Sequence, residues 1–154
     1  MTEQPILHEE TSLHTGLLRL GLAVEQSRVF CSRAGQESVT AILLQQALRE
    51  EWFPKASESR SRYLVQQLAR RFPPGYRRAL SAPSELQAPL VCHWHLQLTD
   101  PLYRLYTGDY LMERWSSPTQ SVNLEGSSEW VRKQALTFGW RPNTVRRLAS
   151  GLLS

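Results

Sequence analysis

The densest chemistry in the chain is cationic. Between Lys55 and Arg78 stand Lys55, Arg60, Arg62, Arg70, Arg71, Arg77 and Arg78, against a single acid, Glu58. Of the 18 basic residues in the protein, all but Lys55 and Lys133 are arginine. A guanidinium presents a planar fork of donors that matches phosphate oxygens and base edges, where an ammonium presents a point charge. With Leu64, Leu68 and Phe72 taken as the buried stripe of a helix, Arg60, Gln67, Arg70 and Arg71 are read onto the opposite arc, with Arg62 at its edge. Arg77 and Arg78 extend the charge past the helix end. A row of this kind is the electrostatic footprint of a phosphate backbone. The plainer alternatives are a solvated helix face or a docking face for an acidic protein.

A second candidate lies near the C-terminus. Ala135, Gly139, Val145 and Leu148 have the spacing of a helix-turn-helix unit: a small residue for close approach, a turn glycine and two packing positions. Its second helix would expose Thr144, Arg146 and Arg147 toward DNA. An ordinary αα-hairpin has the same spacing. The run Cys92-His93-Trp94-His95 invites a metal reading, since on a helix Cys92 and His95 share a face and His8, His14 or Asp100 could complete a site. No CxxC pair or HExxH accompanies it, so a buried cysteine with structural histidines is the expected reading.

Catalysis has little to stand on. The chain has no GxSxG elbow, no Gly-rich phosphate loop and no HExxH. Asp100 and Asp109 each have a plain helix-terminus or surface role. No enzyme activity, metal or cofactor is expected. The tryptophans at 52, 94, 115, 130 and 140 could stack bases, but their apolar surroundings assign most of them to the core.

These groups need a scaffold, and 154 residues with 41% hydrophobic and 21% charged content supply a globular one. That length fits one domain, here residues 1–154, with a core large enough to need no staple. A net charge of +4 favours an acidic partner. Two cysteines are too few for a disulfide framework. The acidic start MTEQPILHEE lacks the layout of a secretory signal, and the most apolar stretch, from Thr15 to Val24, is short and carries Arg19. A cytoplasmic protein with no membrane contact is expected.

The periodicity is helical nearly throughout, and the fold class read from it is all-α, a compact bundle of about six to seven helices. Leu13, Leu17, Leu20 and Val24 mark the first helix, broken at Arg33-Ala34-Gly35. A second covers about 36–50 with Val39, Ile42, Leu43 and Ala47 inward, ended by Trp52-Phe53-Pro54. The third covers 57–72, capped by serines and stopped by Pro73-Pro74-Gly75. A Ser/Ala/Pro linker over 80–89 leads to a helix burying Leu90, Trp94 and Leu98. Thr99-Asp100-Pro101 starts the next, with Leu102, Leu105, Tyr106 and Met112 inward and loosening at Gly108. After a polar loop over 116–128, two helices close the chain, about 128–138 and from 143 onward.

Three segments together resemble the BrxA family of BREX bacteriophage-exclusion systems. Lys55-Ala56-Ser57 with Arg70-Arg71-Phe72 is similar to that family's K-x-S…R-R-F segment, Asp100-Pro101-Leu102-Tyr103-Arg104 to its D-P-L-x-R helix start, and Thr144 to Leu153 to its Leu-rich ending. The opening Gly16-Leu17-Leu18 is a looser match. The resemblance implies a NusB-like helical domain that binds duplex DNA without catalysis. It also implies other BREX proteins as partners: an adenine methyltransferase, a PglZ-type phosphatase-like protein and an ATPase. Relatives run longer, so a C-terminal helix present in them is expected to be absent here, and the Cys92–His95 cluster is not a feature of the family. Two other readings stay open: a protein-interaction adaptor that docks acidic partners, and an RNA-binding module suggested by the NusB-like fold and the aromatics.

Overall fold

The computed structural model describes residues 11–81 and 87–153. Among these every regular element is helical and none is a strand, as the periodicity requires. No helix among them is long and apolar enough to cross a membrane. The described residues separate into two compact units, one built from 22–99 and the other from 11–21 with 100–153.

The first unit contains α1 (Val24–Ala34), α2 (Thr40–Arg49), α3 (Glu58–Arg71), α4 (Arg78–Ser81) and α5 (Gln87–Thr99). α2 packs on α3, and α1 packs on α3, α4 and α5. Phe30, Leu43, Leu64, Val65, Leu68, Phe72, Leu80 and Leu96 fill the centre. Phe30 meets Trp52 edge-on, with ring centroids 6.2 Å apart. At Gly35 φ is +53°, a left-handed value that costs glycine little, and it turns the chain out of α1.

Several expected faces are corrected here. The first helix does not begin at Leu13: residues 11–23 hold only a 3-10 turn, Gly16–Leu18, and α1 starts after Ala23, itself at φ +51°. Val39 and Ile42 are exposed: Val39 precedes α2, and Ile42 stands about 100° around the helix from the inward Leu43. On α5 the buried residues are Ala88, Cys92, His95 and Leu96, while Leu90 and Trp94 are 57% and 59% exposed, the reverse of the expected face. The stretch read as a linker overlaps the end of α4, whose Leu80 is buried, and the start of α5 at Gln87. Residues 82–86 of it lie outside the described residues.

The second unit holds the Gly16–Leu18 turn, α6 (Pro101–Leu105), a π-helical turn (Tyr106–Tyr110), α7 (Leu111–Trp115), α8 (Leu124–Gln134) and α9 (Pro142–Leu153). The cap of α6 is Asp100, whose carboxylate accepts the Tyr103 amide at 3.0 Å, with Pro101 in the first turn. Thr99 belongs to α5 instead and donates its hydroxyl to the His95 carbonyl. The π turn sits where loosening at Gly108 is expected, and Met112 beyond it is exposed, not core. α8 starts inside the stretch read as loop, because Asn123 accepts the Gly126 amide at 2.8 Å and caps it there. Tyr106 stacks on Tyr110, Trp130 meets Tyr106 edge-on and Tyr110 at a tilt, and the Tyr106 hydroxyl bonds Ser127 at 2.8 Å. α9 buries Val145, Leu148, Ala149 and Leu152 and packs on α8 and on the Gly16–Leu18 turn.

Candidate nucleic-acid interface

The basic segment is organised by α3. Ser57 caps it by accepting the Arg60 amide at 3.2 Å, and Glu58 in the first turn suits the positive end of the helix. Ser61, Leu64, Val65 and Leu68 face inward. Lys55, Arg60, Arg62, Arg70 and Arg78 are exposed. Arg62 holds Glu58 one turn away at 2.7 Å, a surface pair worth little in stability. The Arg60 guanidinium lies 5.4 Å from the centre of the Tyr63 ring.

Arg71 and Arg77 do not belong to this surface, a correction to the sequence expectation. Arg71 is 5% exposed and donates from Nη1 to the Leu22 carbonyl at 3.2 Å. The reason is helical phase: seven residues beyond Leu64, at about 100° per residue, the chain returns to within about 20° of the buried stripe. Arg77 is 2% exposed. Its Nε donates to the Phe72 carbonyl at 2.9 Å, and its Nη1 reaches the carbonyls of Ala34, Gly35 and Glu37 at 3.4, 3.1 and 2.7 Å. These oxygens stand at or just past the ends of α1 and α3, where carbonyls lack helical partners. Burial pulls the Arg77 pKa below the ordinary guanidinium value. Both arginines are internal fasteners.

In the second unit, α8 and α9 form the hairpin anticipated from Ala135, Gly139, Val145 and Leu148. Gly139 is left-handed at φ +59°, and the other three are buried. Arg146 and Arg147 are exposed and Thr144 is half-buried. Between the two helices a recess of about 590 Å³ is lined by Glu125, Glu129, Arg132 and Arg146 among others, so the charge there is mixed.

The Cys92–His95 run is structural in its contacts. Cys92 is buried, and His95 donates from Nδ1 to the Arg71 carbonyl at 2.8 Å while packing on Phe72 with ring centroids 4.5 Å apart. Burial lowers the His95 pKa. Burial also raises the thiol of Cys92, and pushes that of Cys31 up to about 12. His93 faces Gln97, and Trp94 is exposed. His14 accepts the Gly16 amide and lies 3.7 Å from Asp100. Among the described residues no three His, Cys, Asp or Glu side chains gather in a metal-holding group. His8 lies outside those residues.

One feature of the first unit had a weak signal in the sequence, the apolar Trp52-Phe53-Pro54 turn beside Lys55. It forms the floor of a groove of about 450 Å³, with Glu25, Gln26 and Val29 from α1 on one side and Arg60 and Leu64 from α3 on the other. No family model, curated protein or solved structure matches this chain.

Proposed function

We propose that this chain is a non-enzymatic, duplex-DNA-binding accessory component of a BREX-type phage-defence system. The observation that carries the DNA reading is the exposure of Lys55, Arg60, Arg62, Arg70 and Arg78 along α3 and its flanks, with Glu58 as the one acid of that segment. They grip phosphates, which positions the protein on a duplex without reading its sequence. Arg146 and Arg147 supply a second, smaller cationic surface. The defence assignment, with a methyltransferase, a PglZ-type protein and an ATPase as partners, rests on the resemblance of the three segments to BrxA.

The test is fluorescence anisotropy with mixed-sequence duplex DNA over a salt series, using wild type and an Arg60→Ala/Arg70→Ala/Arg78→Ala variant. Loss of three phosphate contacts lowers the slope of log K against log salt by roughly three. A duplex affinity that is absent at low salt, or a slope that the triple variant leaves unchanged, refutes the reading.

A second reading has an observation of its own. Leu90 and Trp94, one helical turn apart on α5, are both large apolar side chains exposed to solvent, an arrangement that suits protein docking. Under it the chain is an adaptor whose arginines meet an acidic partner protein. A stable complex with such a partner, without duplex affinity, selects this reading.

A further inference from the structure

The groove under Lys55 combines three kinds of wall. Its floor is apolar, lined by Trp52, Phe53, Pro54, Val29 and Leu64, of which Pro54 and Val29 are the more exposed. Lys55 and Arg60 bring positive charge on the side of α3. On the α1 side, Gln26 offers a carboxamide and Glu25 a carboxylate, both on exposed residues. The volume, about 450 Å³, lies within the roughly 300–1,000 Å³ of small-molecule sites.

A nucleotide has the matching parts. Its base has apolar faces and an edge of donors and acceptors, and its phosphate is anionic. A carboxamide can pair with an adenine edge and a carboxylate can accept from an exocyclic amino group. An acidic peptide could also set a carboxylate between Lys55 and Arg60, but it lacks a flat base with an edge of donors and acceptors for Gln26 and Glu25. A base stacked within a duplex cannot enter such a groove, so the occupant must be unpaired. We propose that the groove takes a single unpaired nucleotide of a nucleic-acid strand, its base over the Trp52–Pro54 floor and its phosphate between Lys55 and Arg60. This rests on the nucleic-acid reading above and adds to it a preference for strand ends, gaps or single strands.

The experiment measures anisotropy with a mixed-sequence single-stranded oligonucleotide and with the matched duplex, for wild type, Ala56→Phe and Gln26→Ala. Ala56 is half-buried and lines the groove, so a phenyl group there occupies its space. Base stacking on an apolar platform is worth about a tenfold change in affinity. The expected result is that Ala56→Phe lowers single-strand affinity by about tenfold and leaves duplex affinity unchanged, with an unaltered circular dichroism spectrum. If Ala56→Phe unfolds, Gln26→Ala, an exposed change, must lower single-strand affinity at least threefold with no effect on the duplex. Equal losses on both strands, or no loss on either, overturn the groove proposal while the duplex reading stands. Absence of binding to both by wild type overturns the two readings together.

Discussion

Arg77 and Arg78 are neighbours in sequence with opposite assignments, and replacing each by Met separates them. The Arg77 guanidinium serves carbonyls at or just beyond the ends of α1 and α3 from a site 2% exposed. Met retains most of the stem volume and removes every donor. The bonds to Phe72 and Ala34 are buried, the first at 2.9 Å and the second long at 3.4 Å. A buried acceptor left dry costs about 1–3 kcal/mol. The Phe72 carbonyl bears that cost, while the Ala34 carbonyl keeps the Glu37 amide at 3.2 Å. The bonds to Gly35 and Glu37 are only partly buried, and water replaces them at a small further cost. Relief of the buried charge offsets part of the loss, as does the apolar contact Met makes with Phe30, whose ring centre lies 5.1 Å from the guanidinium. The sum is about 2 kcal/mol. For a chain of this size that lowers Tm by roughly 4–8 °C, at about 2–4 °C per kcal/mol. Arg78 is exposed, and Arg78→Met should shift stability by less than about 0.5 kcal/mol. Urea and thermal melts followed by circular dichroism measure both variants, and duplex anisotropy on the same samples adds the second axis. Arg77→Met within about 1 kcal/mol of wild type refutes the fastener argument. A duplex affinity lowered more by Arg77→Met than by Arg78→Met, with the fold intact, refutes the division of labour.

Two further outcomes follow from the buried titratable groups. Folding lowers the His95 pKa from its ordinary 6.5, so the folded state favours the neutral ring; the stability this supplies is complete above pH 6.5 and declines as pH falls toward the folded value. Urea midpoints of wild type should therefore drop on acidification below 6.5, and His95→Asn should lose that component; an unchanged acid dependence in the variant contradicts the assignment. The Cys31 thiol, raised to about 12, and the buried Cys92 should resist iodoacetamide in the folded protein and react on unfolding. Labelling of the native protein at the denatured rate contradicts their burial.

The legible parts of the fold were those written in local chemistry. Ser57 caps α3 where a capping residue predicts, the start of α6 falls at Asp100-Pro101 with the cap on Asp100 rather than Thr99, Pro73-Pro74-Gly75 stops α3, and Leu64, Leu68 and Phe72 are core. Helix faces were harder to read, for two physical reasons. On α5 the polar residues Gln87, His93, His95, Gln97 and Thr99 are spread around the helix, so the sequence has no polar side to mark what faces out, and Leu90 and Trp94 are assigned inward by hydrophobicity alone. Charge misleads in the other direction at Arg71 and Arg77, where the expectation that arginine stays in water outweighs phase and the demand of helix-end carbonyls for donors. The exposed cations at 55, 60, 62, 70 and 78 were legible; the groove that Lys55 and Arg60 line was not, because its walls come from α1 and α3, which are distant in sequence.

The π turn at Tyr106–Tyr110 acts as a phase shifter. One residue more per turn sets everything downstream back by about 100°, which is why the helical count from Leu105 to Met112 fails to bury Met112. The path from Pro101 to Trp115 thus behaves as two gears meshed one tooth out of step. Removing Gly108 would bring them back into step: Met112 and Trp115 would swing by the same angle, and the Tyr110 ring would leave Trp130. An insertion or deletion of one residue here is therefore a rotation, not a change of length, and it decides which aromatic groups this end of the chain shows to the solvent.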